Sequence, residues 1–101
     1  MSKQELKQSI REAIEQSPLR SEIRYVSLFG SQSREDQTNE SDVDILIEFV
    51  PSAKIGFFKF FDIQDAIERR INKKVDLLTP ESLSKHFRDE VISQSETIYE
   101  K

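Results

Sequence analysis

Hydrophobic and polar residues recur with different periods along the chain, and these periods predict where helices and strands lie. Near the start, Leu6, Ile10 and Ile14 recur at the spacing of one helix face, and Ala13 lies beside them. Ser2, followed three residues later by Glu5, has the form of a capping box, so the pattern predicts a helix over residues 2–17. Pro18 should end it, because the residue before a proline is biased away from helical backbone angles.

Two strands are predicted next, on either side of a polar segment. Tyr25 to Phe29 alternates and is rich in residues that favour strands, and Gly30 breaks the run. Residues 31–36 can form a short helix whose first turn exposes the free backbone N–H groups that suit a phosphate, and residues 37–41 are a polar connector. Asp42 to Phe49 alternates again, which predicts the second strand.

The following segment predicts a helix with an aromatic stripe, over about residues 57–71. The residues that fall largely on one side of this helix are Phe57, Phe60, Phe61, Ile67 and Ile71. We expect this stripe to be core packing rather than a ligand-stacking surface, because helical spacing alone explains it.

The end of the chain predicts a third strand and a last helix. Asn72 suits the left-handed angles that stop a helix, and Val75 to Leu78 reads as the strand. Thr79 and Pro80 are expected to begin the last helix, as cap and first helical residue. Its predicted buried face consists of Leu83, Phe87 and Val91. Residues 97–99 form either a short edge strand or an ordered end.

Length and composition bound the kinds of protein this chain can be. A length of 101 residues predicts a single domain over residues 1–101, with room for one core and none for a separate substrate domain. With 36% hydrophobic and 34% charged residues, we expect a soluble globular protein. The net charge of -4 argues against direct binding to nucleic acid through a broad basic surface. Without cysteine, and without an apolar run of roughly 18 residues, a cytoplasmic protein with no membrane association is expected.

Carboxylates in the predicted strands are the candidate chemistry. Asp42 and Asp44 alternate with aliphatic residues, so both project from one face of their strand. Two carboxylates held side by side repel each other, which costs stability unless a cation lies between them, and a divalent metal is the expected cation. Asp76 lies among apolar residues of the third strand, a poor position for a charge. Either Asp76 is solvated at a strand edge or it joins the pair, and the presence of both the D-x-D pair and the Gly30–Ser31 turn favours the second interpretation.

These residues resemble a known family. The run G-S, a loop, then S-D-x-D before aliphatic residues, with a later Asp in a strand, is similar to the nucleotidyltransferase superfamily that includes the DNA polymerase beta palm and the kanamycin nucleotidyltransferases. The short chain, the aromatic helix, K-K-V-D-L-L-T-P and the closing I-Y-E resemble the minimal nucleotidyltransferases, called MNT or MntA, which are usually encoded beside HEPN-domain toxins. The resemblance runs from about residue 20 to the end. It implies the α/β nucleotidyltransferase fold, a small mixed sheet flanked by helices in the order αβαβαβα.

The resemblance also implies a metal and nucleotide site. Asp42 and Asp44 would bind two Mg²⁺ ions that steady the triphosphate of ATP, and Asp76 would complete the site and help deprotonate the acceptor hydroxyl. Oxygen ligands alone, without a usable His or Cys, suit magnesium better than zinc.

Phosphate contacts are implied for the loop after the first strand. Gly30 would let the backbone approach the phosphates, and Ser31 would offer a hydroxyl and an N–H. The family pattern G-S-x-A-R-G changes here at two positions, to Ser33 and Glu35, while Arg34 is retained. Arg34 either offsets the triphosphate charge or pairs with a neighbouring acid at the surface, and an added acid beside a triphosphate should weaken nucleotide binding.

Function follows from the resemblance as an expectation with two alternatives. The favoured hypothesis is an antitoxin that transfers AMP from ATP to a hydroxyl, with tyrosine expected, of a HEPN ribonuclease toxin and so neutralises it, within a hetero-oligomer. The alternative is an antitoxin that acts by contact alone, with a vestigial nucleotide site. A freestanding antibiotic or nucleic-acid nucleotidyltransferase is a weaker third option, since those enzymes usually need extra domains.

Two other features are expected to be ordinary. His86 has no Cys or His partner at ligand spacing, which indicates a surface or cap role. Lys73 and Lys74 either bind a phosphate beside Asp76 or are simply solvated, and solvation is favoured.

Overall fold

Seven helices and strands follow one another along the part of the chain that the structure, a computed structural model, describes, which is residues 2–29 and 43–101. They are α1 (Lys3–Glu15), β1 (Ile23–Phe29), β2 (Val43–Phe49), α2 (Phe57–Ile71), β3 (Val75–Leu78), α3 (Lys85–Gln94) and β4 (Glu96–Glu100). Short 3-10 turns at Arg20–Glu22 and Pro80–Ser82 precede β1 and α3. The predicted short helix over 31–36, the connector over 37–41 and Asp42 lie outside the described residues.

The four strands form one mixed sheet in the order β3-β2-β1-β4. β1 runs antiparallel to both β2 and β4, whereas β2 and β3 are parallel. A parallel pair needs a long crossover connection, and α2 supplies it between β2 and β3. The predicted small mixed sheet is therefore confirmed, and the segment that the sequence left open is the edge strand β4.

Helices α1 and α2 pack on the same face of the sheet and form the core with it. The predicted buried face of α1 is confirmed, since Leu6, Ile10, Ala13 and Ile14 are all buried. The predicted cap is also present, because the Glu5 N–H donates to Ser2 Oγ at 3.1 Å. The strand residues of this core are Ile23, Val26 and Leu28 from β1, Val43, Ile45 and Ile47 from β2, Val75 and Leu77 from β3, and Ile98 from β4.

The opposite face of the sheet carries polar side chains as well as apolar ones. Its β2 positions include half-buried Asp44 and buried Leu46, and Leu46 pairs in register with fully buried Ser27 of β1. Helix α3 contacts β1, and its Ile92 lines a cavity together with Tyr25, which belongs to this second face. None of the described helices is long and apolar enough to cross a membrane.

The prediction that the aromatic stripe of α2 packs in the core was wrong for Phe57 and Phe61. Phe57 is 79% exposed and Phe61 53% exposed, and their rings stack on each other rather than on the core. The buried face is formed by isoleucines at 63, 67 and 71, with half-buried Phe60 packed edge-to-face on Phe49. At 3.6 residues per turn, Phe57 and Phe61 lie about 80° and 120° around the helix from Ile67, so they cannot share its buried face.

The last helix was also predicted wrongly at its start and on its buried face. Thr79 and Pro80 begin only a 3-10 turn, and Leu83 is extended, so α3 starts at Lys85 after Ser84. Leu83 therefore lies outside the helix and cannot share a face with Phe87, which is 62% exposed. No residue of α3 is buried. Its Arg88 instead donates to the Pro80 carbonyl at 2.8 Å, which ties the helix to the preceding turn.

Candidate active site

The parallel register of β2 and β3 places two acidic residues opposite each other. Asp44 pairs with Asp76, between the apolar pairs Val43–Val75 and Ile45–Leu77. Residues paired in register point to the same face, and their backbones lie about 4.8 Å apart. Because the flanking pairs face the core, both carboxylates project from the opposite face. The structure thus brings together Asp44 and Asp76, as the sequence predicted.

The two interpretations of Asp76 turn out to be compatible. β3 is an edge strand and Asp76 is exposed on it, as the solvated interpretation required. Asp76 is nevertheless the register partner of Asp44, as the site interpretation required. An exposed carboxylate beside a half-buried one is accessible to a large molecule approaching from solvent.

Four of the predicted site residues fall in the segment 30–42, outside the described residues. They are Gly30, Ser31, Arg34 and Asp42. Phe29 and Val43, the described residues on either side of this segment, belong to neighbouring strands, and Phe29 pairs in register with Asp44. The chain therefore leaves β1 and enters β2 beside the carboxylate pair.

The turn between α2 and β3 fixes where β3 begins. Asn72 adopts the predicted left-handed conformation, with φ of 55°, and its N–H donates to the Glu68 carbonyl at 2.8 Å. The Val43 N–H donates to the Lys74 carbonyl at 2.9 Å, and the Val75 N–H donates to Glu68 Oε2 at 2.8 Å. Sequence reasoning missed this contact of Glu68, because an acid near the end of an amphipathic helix is also typical of a solvated residue.

Two lysines lie in the turn between α2 and β3. Lys73 is half-buried and Lys74 is exposed, and both line a shallow cavity of about 350 Å³ together with Glu68 and Asn72. Lys74 lies just before β3, two residues ahead of Asp76. His86 is exposed in the first turn of α3, as the expected surface role requires.

The donor set of the described residues fits a hard divalent cation. Two carboxylates on one face offer the oxygen ligands that Mg²⁺ prefers. Within residues 2–29 and 43–101, no group of three or more His, Cys, Asp or Glu side chains is placed to hold a metal ion. Asp44 and Asp76 would therefore supply two of the ligands for such a cation.

The parallel strands β2 and β3, with their paired carboxylates and helical crossover, agree with the class of protein that comparison with known families identifies. Residues 8–101 match the family described as Polymerase beta, Nucleotidyltransferase, and the chain belongs to that family. Its substrate class is accordingly a nucleotide. The resemblance inferred from the sequence and the fold class it implied are both confirmed.

The similar proteins include two that are named as protein adenylyltransferases. A candidate protein adenylyltransferase from Methanocaldococcus jannaschii is 33% identical over 79 residues, which cover 78% of this chain and 90% of that protein. The protein adenylyltransferase MntA of Thermococcus cleftensis is 35% identical over 63 residues, or 60% of each chain.

Solved structures show the same fold. A candidate minimal nucleotidyltransferase aligns with a TM-score of 0.75 at 25% identity, over 98% of this chain and 96% of that one. A complex of a tri-AMPylated Shewanella oneidensis HEPN toxin with its MNT antitoxin aligns with a TM-score of 0.68 at 18% identity, over 98% of this chain and 73% of that chain.

Proposed function

We propose that this chain is an antitoxin that transfers AMP from ATP to a hydroxyl, with tyrosine expected, of a HEPN-type ribonuclease toxin and thereby neutralises it. The observation that carries the proposal is the register pair of Asp44 and Asp76 on an accessible face of a nucleotidyltransferase sheet. The names of the relatives support protein as the acceptor, and the tri-AMPylated toxin in the Shewanella complex supports the toxin as that protein. A similar toxin–antitoxin structure contains the ATP analogue AMP-PNP, which supports ATP as the donor.

Magnesium completes the proposed site. Asp44 and Asp76, together with Asp42, would hold the two Mg²⁺ ions that the resemblance implies, and Gly30, Ser31 and Arg34 stay the predicted phosphate contacts. When bound, magnesium would offset the negative charge of the phosphates. We place the reaction in the cytoplasm, which supplies both ATP and magnesium.

The residues of the chain have separate roles in the proposed transfer. The acceptor oxygen forms a bond to the α-phosphorus of ATP, and the bond from that phosphorus to the bridging oxygen breaks, so pyrophosphate leaves with the electron pair. Asp76 takes the proton of the acceptor hydroxyl, for which its exposure on the edge strand suits it. The rigid strand pair contributes by alignment, because correctly oriented reactants lose little further entropy on reaction.

Labelled ATP tests this proposal directly. The chain, Mg²⁺ and the HEPN toxin encoded beside it are incubated with ATP labelled at the α-phosphate, and label should appear on the toxin as its ribonuclease activity falls. Asp76→Asn should slow labelling by about 100-fold or more, a loss of several kcal/mol of transition-state stabilisation. Glu81→Gln is the matched control, because Glu81 is an exposed acid five residues further on that lies outside the carboxylate pair.

Two results would contradict the proposal. An unlabelled toxin in the presence of the unaltered chain would reject AMP transfer. Full neutralisation by the double variant Asp42→Asn, Asp44→Asn would instead establish the alternative, an antitoxin that acts by contact alone.

A further inference from the structure

The peptide between Lys74 and Val75, at the start of β3, forms hydrogen bonds on both sides of the strand. The Lys74 carbonyl faces β2, since it accepts from the Val43 N–H at 2.9 Å. In a trans peptide the carbonyl and the following N–H point in opposite directions, and the structure has no cis peptide bond among the described residues. The Val75 N–H therefore points away from β2, toward the open edge of the sheet.

The Glu68 side chain occupies that open edge. Its Oε2 accepts from the Val75 N–H at 2.8 Å, in a part-buried contact. The backbone carbonyl of the same residue accepts from Asn72 at 2.8 Å and so closes the end of α2. Glu68 thus accepts hydrogen bonds from Asn72, the first residue of the turn between α2 and β3, and from Val75, the first residue after that turn.

We infer that Glu68 is a positioning residue for Asp76, through the peptide that immediately precedes β3. That peptide is held from the β2 side by Val43 and from the outer side by Glu68, and Asp76 is the next residue but one after Lys74. A shift of one residue in the register would turn Asp76 to the core face and away from Asp44. The inference rests on the proposed function for its catalytic consequence, and it adds a residue that lies outside the carboxylate set.

Three variants separate the hydrogen bond from charge and from helix stability. Glu68→Met has similar length without an acceptor, and Glu68→Gln keeps an acceptor oxygen without the charge. Asp65→Asn is the matched control, since Asp65 is an exposed acid of the same helix that pairs with Arg69 and not with β3. In amide hydrogen exchange followed by NMR, Val75 should be protected in the unaltered chain, in Glu68→Gln and in the control. It should exchange at least about tenfold faster in Glu68→Met, because its N–H loses its acceptor.

Kinetics and cation binding report on Asp76 itself. For AMP transfer, kcat should fall by about 10- to 100-fold in Glu68→Met and recover in Glu68→Gln, while KM for the toxin stays unchanged, because the change misplaces a reacting group. Affinity for Mn²⁺, measured from the resonance signal of the free ion, should weaken about tenfold in Glu68→Met and stay unchanged in Asp65→Asn, because only Glu68 holds the strand that carries Asp76.

Each outcome is decisive. A rapidly exchanging Val75 amide in the unaltered chain overturns the inference, as does fast exchange in Glu68→Met with undiminished kcat and Mn²⁺ affinity. If the unaltered chain labels no toxin, the proposed function fails, and the Mn²⁺ affinities then decide the positioning role alone. If Glu68→Met does not fold, Glu68→Asp replaces it under the same criteria, because its shorter side chain withdraws the acceptor from Val75.

Discussion

Ser27 lies in the centre of the sheet, fully buried, and its hydroxyl has no hydrogen-bond partner within the part of the chain described. Leu46 and Thr97 are its register partners on the two neighbouring strands. An unbonded buried hydroxyl costs about 1–3 kcal/mol, so Ser27→Ala should raise the free energy of unfolding by about 0.5–1 kcal/mol. Urea denaturation measures the difference.

The control for this substitution is Thr97→Ala on the adjacent strand. It removes an exposed hydrogen bond of 3.1 Å between Tyr25 and Thr97 and should lower the free energy of unfolding by less than about 1 kcal/mol. A loss of stability in Ser27→Ala would contradict the expectation and indicate that an internal water bonds the hydroxyl.

Individual residues of the site differed in how far the sequence could predict them. Asp44 and Asp76 were predictable because strand alternation assigns each side chain to a face without knowledge of the fold. Glu68 was not, because its role depends on a bond to a residue seven positions later, across a turn whose course only the folded chain defines. The signal that could have found it is the Asn72 helix stop, which brings the last turn of α2 close to the start of β3.

Among the elements, α2 shows most clearly that hydrophobicity and burial are separate properties. Ile67 is 1% exposed and Phe58 is 88% exposed on the same helix. Ile67→Ala should therefore lower the free energy of unfolding by about 2–5 kcal/mol, through lost burial and the cavity left behind. Phe58→Ser, which deletes a larger apolar side chain, should change it by no more than about 0.5 kcal/mol.

Thermal or urea unfolding of the two variants checks this contrast. Equal losses of stability would contradict the exposed position of Phe58. Phe60, half-buried against Phe49, should fall between the two.

Element limits followed closely from the sequence where periodicity and punctuation agreed. α1 has both a regular apolar face and a capping serine, and β3 lies between an αL asparagine and a proline, so both were predicted well. The last helix was expected to begin at Pro80. Pro80 instead begins a 3-10 turn, and the backbone is extended again at Leu83. A proline after a threonine can begin either an α-helix or a 3-10 turn, and packing against the rest of the fold decides which one forms.

Over the whole molecule, stability should be graded from the centre of the sheet outward. β1 is hydrogen-bonded on both sides, to β2 and to β4. It contributes the fully buried Val26 and Leu28 to the core. α3 contributes no buried residue. Backbone groups that few buried contacts protect open at low free energy, so α3 amides should exchange with solvent well before those of β1.

Hydrogen exchange followed by mass spectrometry measures this gradient in the intact chain. We expect β1 peptides to exchange only through global unfolding and α3 peptides to exchange at least about 100-fold faster, corresponding to a local opening some 3 kcal/mol easier. Equal protection of the two segments would contradict it.

The helical crossover that makes β2 and β3 parallel also sets an order of events during synthesis. Asp76 follows Asp44 by 32 residues, so a growing chain that already contains Asp44 must add the whole of α2 before Asp76 is made. Until then a nascent chain has half of the pair and nothing against which to align it. Interrupted translation products that stop short of Val75 would consequently lack the carboxylate pair.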